Sequence, residues 1–170
     1  YADSRFANLR GQGYASVIID TGINPLHPFF GPDSDGNGVA DRIVYRQSFV
    51  SGSSVNDVHG HGSHVASLVG GDSAQYPGVA PGANIIALKV LGDNGSANSV
   101  SRTARFGLGH ELAALAGAGV VVAAAAGNSF ASFNTPGLAY PAADPNTIAV
   151  GASFAGAYGS VSVGGATATY

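Results

Sequence analysis

Five short apolar runs punctuate this chain, each bounded by glycine, proline, asparagine or aspartate. Ala15 to Asp20 ("ASVIID") is rich in β-branched residues and stops at "DTG", which predicts a buried strand followed by a turn. A Pro- and Gly-rich loop leads to a second strand-like run near Ile43 to Phe49, and Asn84 to Val90 reads as a third. Gly119 to Asn128 predicts a further buried strand, and Thr147 to Gly151 another. Helical spacing replaces these runs in two places. From His61 to Val69 there is no proline, and Val65, Leu68 and Val69 recur at helical intervals. Leu108 to Ala118 is an Ala/Leu-rich helix with glycine at its end.

Strands that alternate with helices, and are continuously apolar, predict an α/β fold. The expected form is three-layer: a mostly parallel sheet with helices on both faces, in a single domain spanning residues 1–170. Functional groups in such folds gather beyond the carboxyl ends of the strands. Asp20 closes the first strand, His61 opens a helix and Asn128 follows the "VVVAAAA" strand, so these three residues occupy the expected place.

Composition narrows the classes. Hydrophobic residues make up 45% and charged residues 10%, a balance that favours a folded core over disorder. The 26 glycines and 8 prolines are spread between the apolar runs, as tight turns require. There is no cysteine, so disulfides and thiolate zinc sites are excluded. A net charge of −3 without any basic cluster argues against nucleic acid as a partner. The longest apolar run, Val120 to Ala126, is too short to span a bilayer, so no membrane partner is expected. The chain opens on Tyr1 and holds no methionine, which is expected of a processed or incomplete product with its signal segment elsewhere.

The chemistry centres on "DVHGHGSHVASLVGG" (Asp57 to Gly71), where His59, His61 and His64 fall within six residues. No carboxylate or cysteine stands nearby at ligand spacing, so a three-histidine metal site is not expected. Asp20, His61 and Asn128 are instead the residue types of acyl transfer with the nucleophile left out. A buried carboxylate can fix one imidazole nitrogen while the other takes a proton from a hydroxyl, and a side-chain amide can donate to the developing oxyanion. All three residue types are common, and alone they carry modest weight.

Their settings carry more. "VIIDTG" (17–22), "GHGSHVAS" (60–67), "GVAPGANIIALKVL" (78–91), "AAAAGNS" (123–129) and "YPAADPNTIAVGA" (140–152) occur in one order. Together they resemble the subtilisin-like serine peptidases, the subtilases, over about residues 14 to 153. The resemblance implies a secreted, calcium-stabilised serine endopeptidase acting on protein or peptide substrates. It implies Asp20 as the catalytic aspartate, His61 as the general base and Asn128 as the oxyanion donor. His64 is then expected to be a structural, hydrogen-bonded histidine and His59 an exposed bystander, while Lys89 and Arg102 are expected to be solvated or paired charges.

Two departures from the family pattern stand out. The "GTS"-type string that carries the nucleophile and opens a helix does not occur; the nearest run is "GGATATY" (Gly164 to Tyr170), and Ser160 and Ser162 precede no helical pattern. Between "KVLGDNGSANSV" and "GLGHELAALAG" the interval Ser101 to Gly107 is too short for the helix and cleft strand the family has there. The resemblance therefore implies a subtilase truncated on its C-terminal side and shortened internally, inactive as written. A peptide-binding pseudoenzyme and a calcium-binding structural fragment remain the other classes these residues allow. Oligomeric state is not encoded legibly.

A cation loop is the last candidate. In "GPDSDGNGVADR" (Gly31 to Arg42), Asp33, Asp35, Asn37 and Asp41 take positions 1, 3, 5 and 9 of an oxygen-rich loop with Gly38 at the turn. The Val39 carbonyl would add a ligand for calcium. Position 12 is Val44, so the bidentate glutamate of an EF-hand is absent. An ion-free Asp/Asn-rich surface turn would use the same residues.

Overall fold

Strand β1 (Ala15–Asp20) pairs in parallel with β3 (Asn84–Lys89), and β3 pairs in parallel with β2 (Ile43–Ser48), giving the order β1-β3-β2. This computed structural model describes residues 5, 8–96, 108–127, 138, 140–151, 160–163 and 166–169. The chain divides into two compact units, residues 1–99 and 100–170. All three of these strands lie in the first unit, at the positions their β-branched runs predict. Their register sets Asp20 level with Lys89, and a shift between Ile43 and Tyr45 accommodates β2.

Helix α1 (His61–Gly70) covers one face of this sheet. Ile18 of β1, Ile43 of β2 and Ile85 and Ala87 of β3 meet Ala66 of the helix, with Val65 and Val69 packed alongside. Ile23, Phe30 and Ala40, from the loop between β1 and β2, complete the core. Phe30 ends a one-turn 3-10 helix (Pro28–Phe30) that starts on a proline, whose missing N–H costs nothing at that position. Burying each large apolar side chain contributes roughly 1.5–3 kcal/mol, and Ile18, Ile23, Phe30, Ile43 and Ile85 are the large ones buried in this cluster. Arg42 adds a polar clamp: its Nη2 donates to the carbonyls of Gly70 (2.7 Å) and Ala83 (2.6 Å), tying the C-terminal end of α1 to the turn before β3.

The opposite face differs from the sequence expectation. Val17 is 48% and Ile19 60% exposed, and among the described residues of this unit no helix packs over them. Continuous hydrophobicity along β1 shows only that both faces are apolar. Cover on the second face has to come from another element, and α1 serves the first alone.

In the second unit, α2 (Leu108–Gly117) is the predicted Ala/Leu helix, with Leu112 buried. Strands β4 (Ala123–Ala125) and β5 (Ile148–Val150) pair in parallel, Ala123 level with Ile148. They are shorter than the predicted runs, and Ile148 and Val150 are exposed rather than buried. A two-stranded ladder of three residues offers too little neighbouring surface to bury either face. Strands β6 (Ser160–Val163) and β7 (Ala166–Thr169) form an antiparallel pair. The predicted interval 101–107 lies outside the described residues.

Candidate active site

Asp20 ends β1 because the chain turns sharply at Gly22. Its φ is +111°, and a Cβ there would stand 2.4 Å from the carbonyl oxygen of Val55. The turn leaves the Asp20 carboxylate at the strand tip, 8% exposed. His61 is the first residue of α1, after Gly60 in the left-handed conformation (φ +91°). Strand end and helix start meet here: His61 Nδ1 lies 2.7 Å from Asp20 Oδ1 and 2.9 Å from Oδ2. A carboxylate can only accept, so in the neutral imidazole this contact puts the proton on Nδ1 and leaves the lone pair on Nε2. The Thr21 amide donates to Asp20 Oδ1 at 2.7 Å and holds the carboxylate in place. The His61 side chain is 55% exposed, so Nε2 is accessible while the orienting bond is sheltered. This arrangement can take a proton from an approaching hydroxyl and stabilise the imidazolium that results.

Sequence reasoning missed what surrounds the pair. The α1 N-cap, Gly60, has no side chain to cap the helix, and its free amides are satisfied from elsewhere in the chain. Gly62 N–H donates to Thr21 Oγ1 (2.8 Å), and Ser63 N–H donates to Asp57 Oδ2 (2.7 Å). Asp57 also accepts from Ser63 Oγ (2.7 Å), Gly60 N–H (2.8 Å) and Thr21 Oγ1 (2.8 Å). Burial opposes the charge on Asp57, but the donors of Ser63, Thr21 and Gly60 outweigh it and hold the carboxyl below its ordinary range. One local signal was legible: an aspartate shortly before a helix start can bond neighbouring backbone amides, as Asp57 does with Gly60 N–H three residues on. The bonds to Thr21, across 36 residues, had no such signal.

The other sequence candidates sort as follows. His59 is exposed, its ring 6.2 Å from that of His61. His64 is a correction: three residues on from His61 it turns towards solvent, and its imidazole makes no hydrogen bond to described residues. It lines an open cleft of about 440 Å³ with Asn24, His27, Phe29 and Ser67. Lys89 is paired as expected, and fully buried: its Nζ donates to the Asn56 carbonyl (2.9 Å) and to Asp93, whose carboxyl this bond holds below the usual range. Ser160 and Ser162 lie on β6, followed by a strand and not a helix. Asn128 and Arg102 lie outside the described residues.

In the 33–41 loop, carboxylate oxygens of Asp33, Asp35 and Asp41 lie within 4.8 Å of one another. The loop is shaped by its own bonds. Asp33 accepts from the amides of Asn37 (3.0 Å) and Gly38 (2.9 Å), and Asn37 Oδ1 accepts from Val39 N–H (2.9 Å). Bonds from Ser34 hold Asp41 below its ordinary range, so it is anionic at neutral pH.

Comparison with known proteins agrees with this geometry. Residues 11–106, which include Asp20, Asp57 and His61, match the family model described as "Subtilase family". The chain is 32% identical to a cuticle-degrading protease of Metarhizium anisopliae, over 88% of this chain and 42% of that protein. It is 33% identical to subtilisin DY of Bacillus licheniformis (85% of this chain, 60% of that protein) and 34% identical to subtilisin E of Bacillus subtilis (85% and 43%). The chain thus spans 42% to 60% of the length of these curated relatives. Among the described residues no helix is long and apolar enough to cross a membrane. With Asp20 bonded to His61 at the tip of a parallel α/β sheet, and the family pattern running through both residues, the chain belongs to the subtilase family.

Proposed function

We propose that these 170 residues carry the acid–base part of a serine endopeptidase centre acting on protein or peptide substrates. The observation behind it is the sheltered bond from His61 Nδ1 to Asp20, with the rest of the imidazole open to solvent. In this reading His61 Nε2 removes the proton of an attacking serine hydroxyl and later returns it to the leaving amine. Asp20 holds the tautomer, and Asn128 donates to the oxyanion. No residue of this chain is assigned as that serine: Ser160 and Ser162 lie on β6, which is followed by a strand and not a helix. A three-layer arrangement and an extracellular location belong to the same proposal. The packing of α1 over one sheet face supports the first, and family membership supports the second.

Two measurements test it. Incubation of the 170-residue chain with a fluorophosphonate probe is expected to give no labelling; stoichiometric, His61-dependent labelling would show a nucleophile within the chain. Nitrogen-15 NMR of the histidines is expected to show a low-field Nδ1–H on His61 that Asp20→Ala removes. A signal indifferent to Asp20→Ala would end the acid–base reading.

We further propose that the 33–41 loop binds calcium as a structural ion through Asp33, Asp35 and Asp41, with Asn37 Oδ1 and the Val39 carbonyl as additional oxygens. Three anionic groups within 4.8 Å repel one another, and a divalent cation would offset that repulsion. At a hundred times its dissociation constant, calcium adds about 2.7 kcal/mol to stability. Thermal melts across a calcium titration should therefore rise for the wild type and stay flat for Asp33→Asn/Asp35→Asn. A flat wild-type titration at millimolar calcium removes the ion.

A further inference from the structure

Asp20 and His61 belong to different elements, 41 residues apart, and a single bond between a strand tip and a helix start keeps its length only if the two ends are locked together. The structure supplies such a lock one residue to the side of each partner. Thr21, next to Asp20, is fully buried, and its hydroxyl is used twice: the oxygen accepts from Gly62 N–H, next to His61, and the proton goes to Asp57 Oδ1. Asp57 then closes the frame by accepting from Gly60 and from both the amide and hydroxyl of Ser63. Ser63 Oγ in turn accepts from Asn24 N–H at 2.9 Å, returning to the loop that follows Thr21. Residues 60, 62 and 63 are all held by this frame, and His61 alone among them directs its side chain to Asp20.

We propose that Thr21 and Asp57 are positioning residues for the His61 base: Asp57 orients the Thr21 hydroxyl, and together they hold the first turn of α1 at the distance that lets His61 Nδ1 donate to Asp20. The proposal rests on the acid–base reading above. A cap that served stability alone would also bind Gly62 and Ser63, but its loss would leave the His61–Asp20 bond intact in the folded molecule. The two roles therefore separate in a measurement made on His61 itself. A bond between two rigid elements has little slack, because neither side chain can follow its partner if the helix start drifts from the strand tip.

The test uses the full 170-residue chain labelled with nitrogen-15 histidine. Thr21→Val keeps the shape and removes both hydroxyl bonds; Asp57→Asn replaces two accepting oxygens by one and an amide. Both are expected to move the His61 Nδ1–H signal upfield and to speed its solvent exchange by about tenfold, the effect of losing roughly one hydrogen bond's worth of order. Thr21→Ser, which restores the hydroxyl, should return the wild-type signal. A folded Thr21→Val whose signal and exchange match the wild type overturns the proposal. Should Thr21→Val fail to fold, Ser63→Ala is read in its place, since it deletes the hydroxyl's bonds to Asp57 and from Asn24 and spares the helix backbone; faster exchange supports the proposal and an unchanged rate overturns it. Asp20→Ala separates the two readings. If it leaves the signal untouched, the acid–base reading fails. If it removes the signal while Thr21→Val does not alter it, only the positioning role fails.

Discussion

Replacing Gly62 by alanine sets two familiar effects against each other at one position. In most helices the change stabilises, by roughly 0.5–1 kcal/mol, because glycine has more backbone freedom to lose on folding. Here a Cβ would stand 2.3 Å from the Gly22 carbonyl oxygen and 3.1 Å from both Gly22 N and Thr21 Oγ1. Even a 3.0 Å contact, the limit of how closely real Cβ atoms approach, needs about 0.7 Å of movement. What must move is backbone on a turn pinned by Gly22 against Val55, not the free end of a side chain. Overpacking of this kind costs about 1–3 kcal/mol. The same movement stretches the 2.8 Å bond from Gly62 N–H to Thr21, and a buried donor left unpaired costs about 1–3 kcal/mol more. The helix gain does not offset these terms, and the expected net loss is about 2–4 kcal/mol. In a unit of about 100 residues that lowers the melting temperature by at least about 10 °C. Circular dichroism melts and urea titrations measure it. Gly117→Ala on α2 is the control, since nothing lies within 4 Å of its added Cβ, and it should be neutral or slightly stabilising. A Gly62→Ala protein as stable as the wild type would refute the claim that this glycine exists to let the β1 turn approach the helix.

Two further outcomes follow from the polar frame. Asp57 is held below its ordinary pKa in the folded chain, so it contributes stability above the unfolded carboxylate value, about 3.9, and loses it as pH falls through the folded value. Urea melts between pH 5 and pH 3 should show a shallower decline for Asp57→Asn than for the wild type; parallel declines would contradict the assignment. Lys89 is fully buried, but its partner Asp93 is 50% exposed and can return to water if the pair is broken. Lys89→Met, which keeps the packed stem, should therefore cost only about 1–2 kcal/mol, below the 3–5 kcal/mol typical when a buried charge is left alone. Lys89→Ala adds a cavity and should cost about 3 kcal/mol or more. Equal losses for the two variants would place the energy in the charge and not in the packing.

Much of this molecule was legible along the chain because periodicity and turn chemistry are local. β-Branched runs between Gly and Asp or Asn marked β1, β2 and β3, proline-free helical spacing marked α1, and the order of strands and helices predicted parallel pairing. The same reading placed Asp20 at a strand tip and His61 at a helix start, and residue type alone said what such a pair can do. What it could not supply was anything that depends on partners far apart in sequence. The Thr21 hydroxyl is shared between Gly62 and Asp57, Lys89 reaches Asn56 from the inside, and His64 faces solvent; each follows from how close β1, α1 and the 55–57 segment approach. Burial of β1 on one face only was equally hidden, because an apolar run records that a strand can be covered, and another element decides whether it is. The sequence by itself determined which residues are the candidates for the chemistry, and the strand and helix in which Asp20 and His61 lie. Only the tertiary structure decided the distances, because a hydrogen bond 2.7 Å long between β1 and α1 is set by packing and by the Thr21–Asp57 frame, neither of which has a period or a neighbour to betray it.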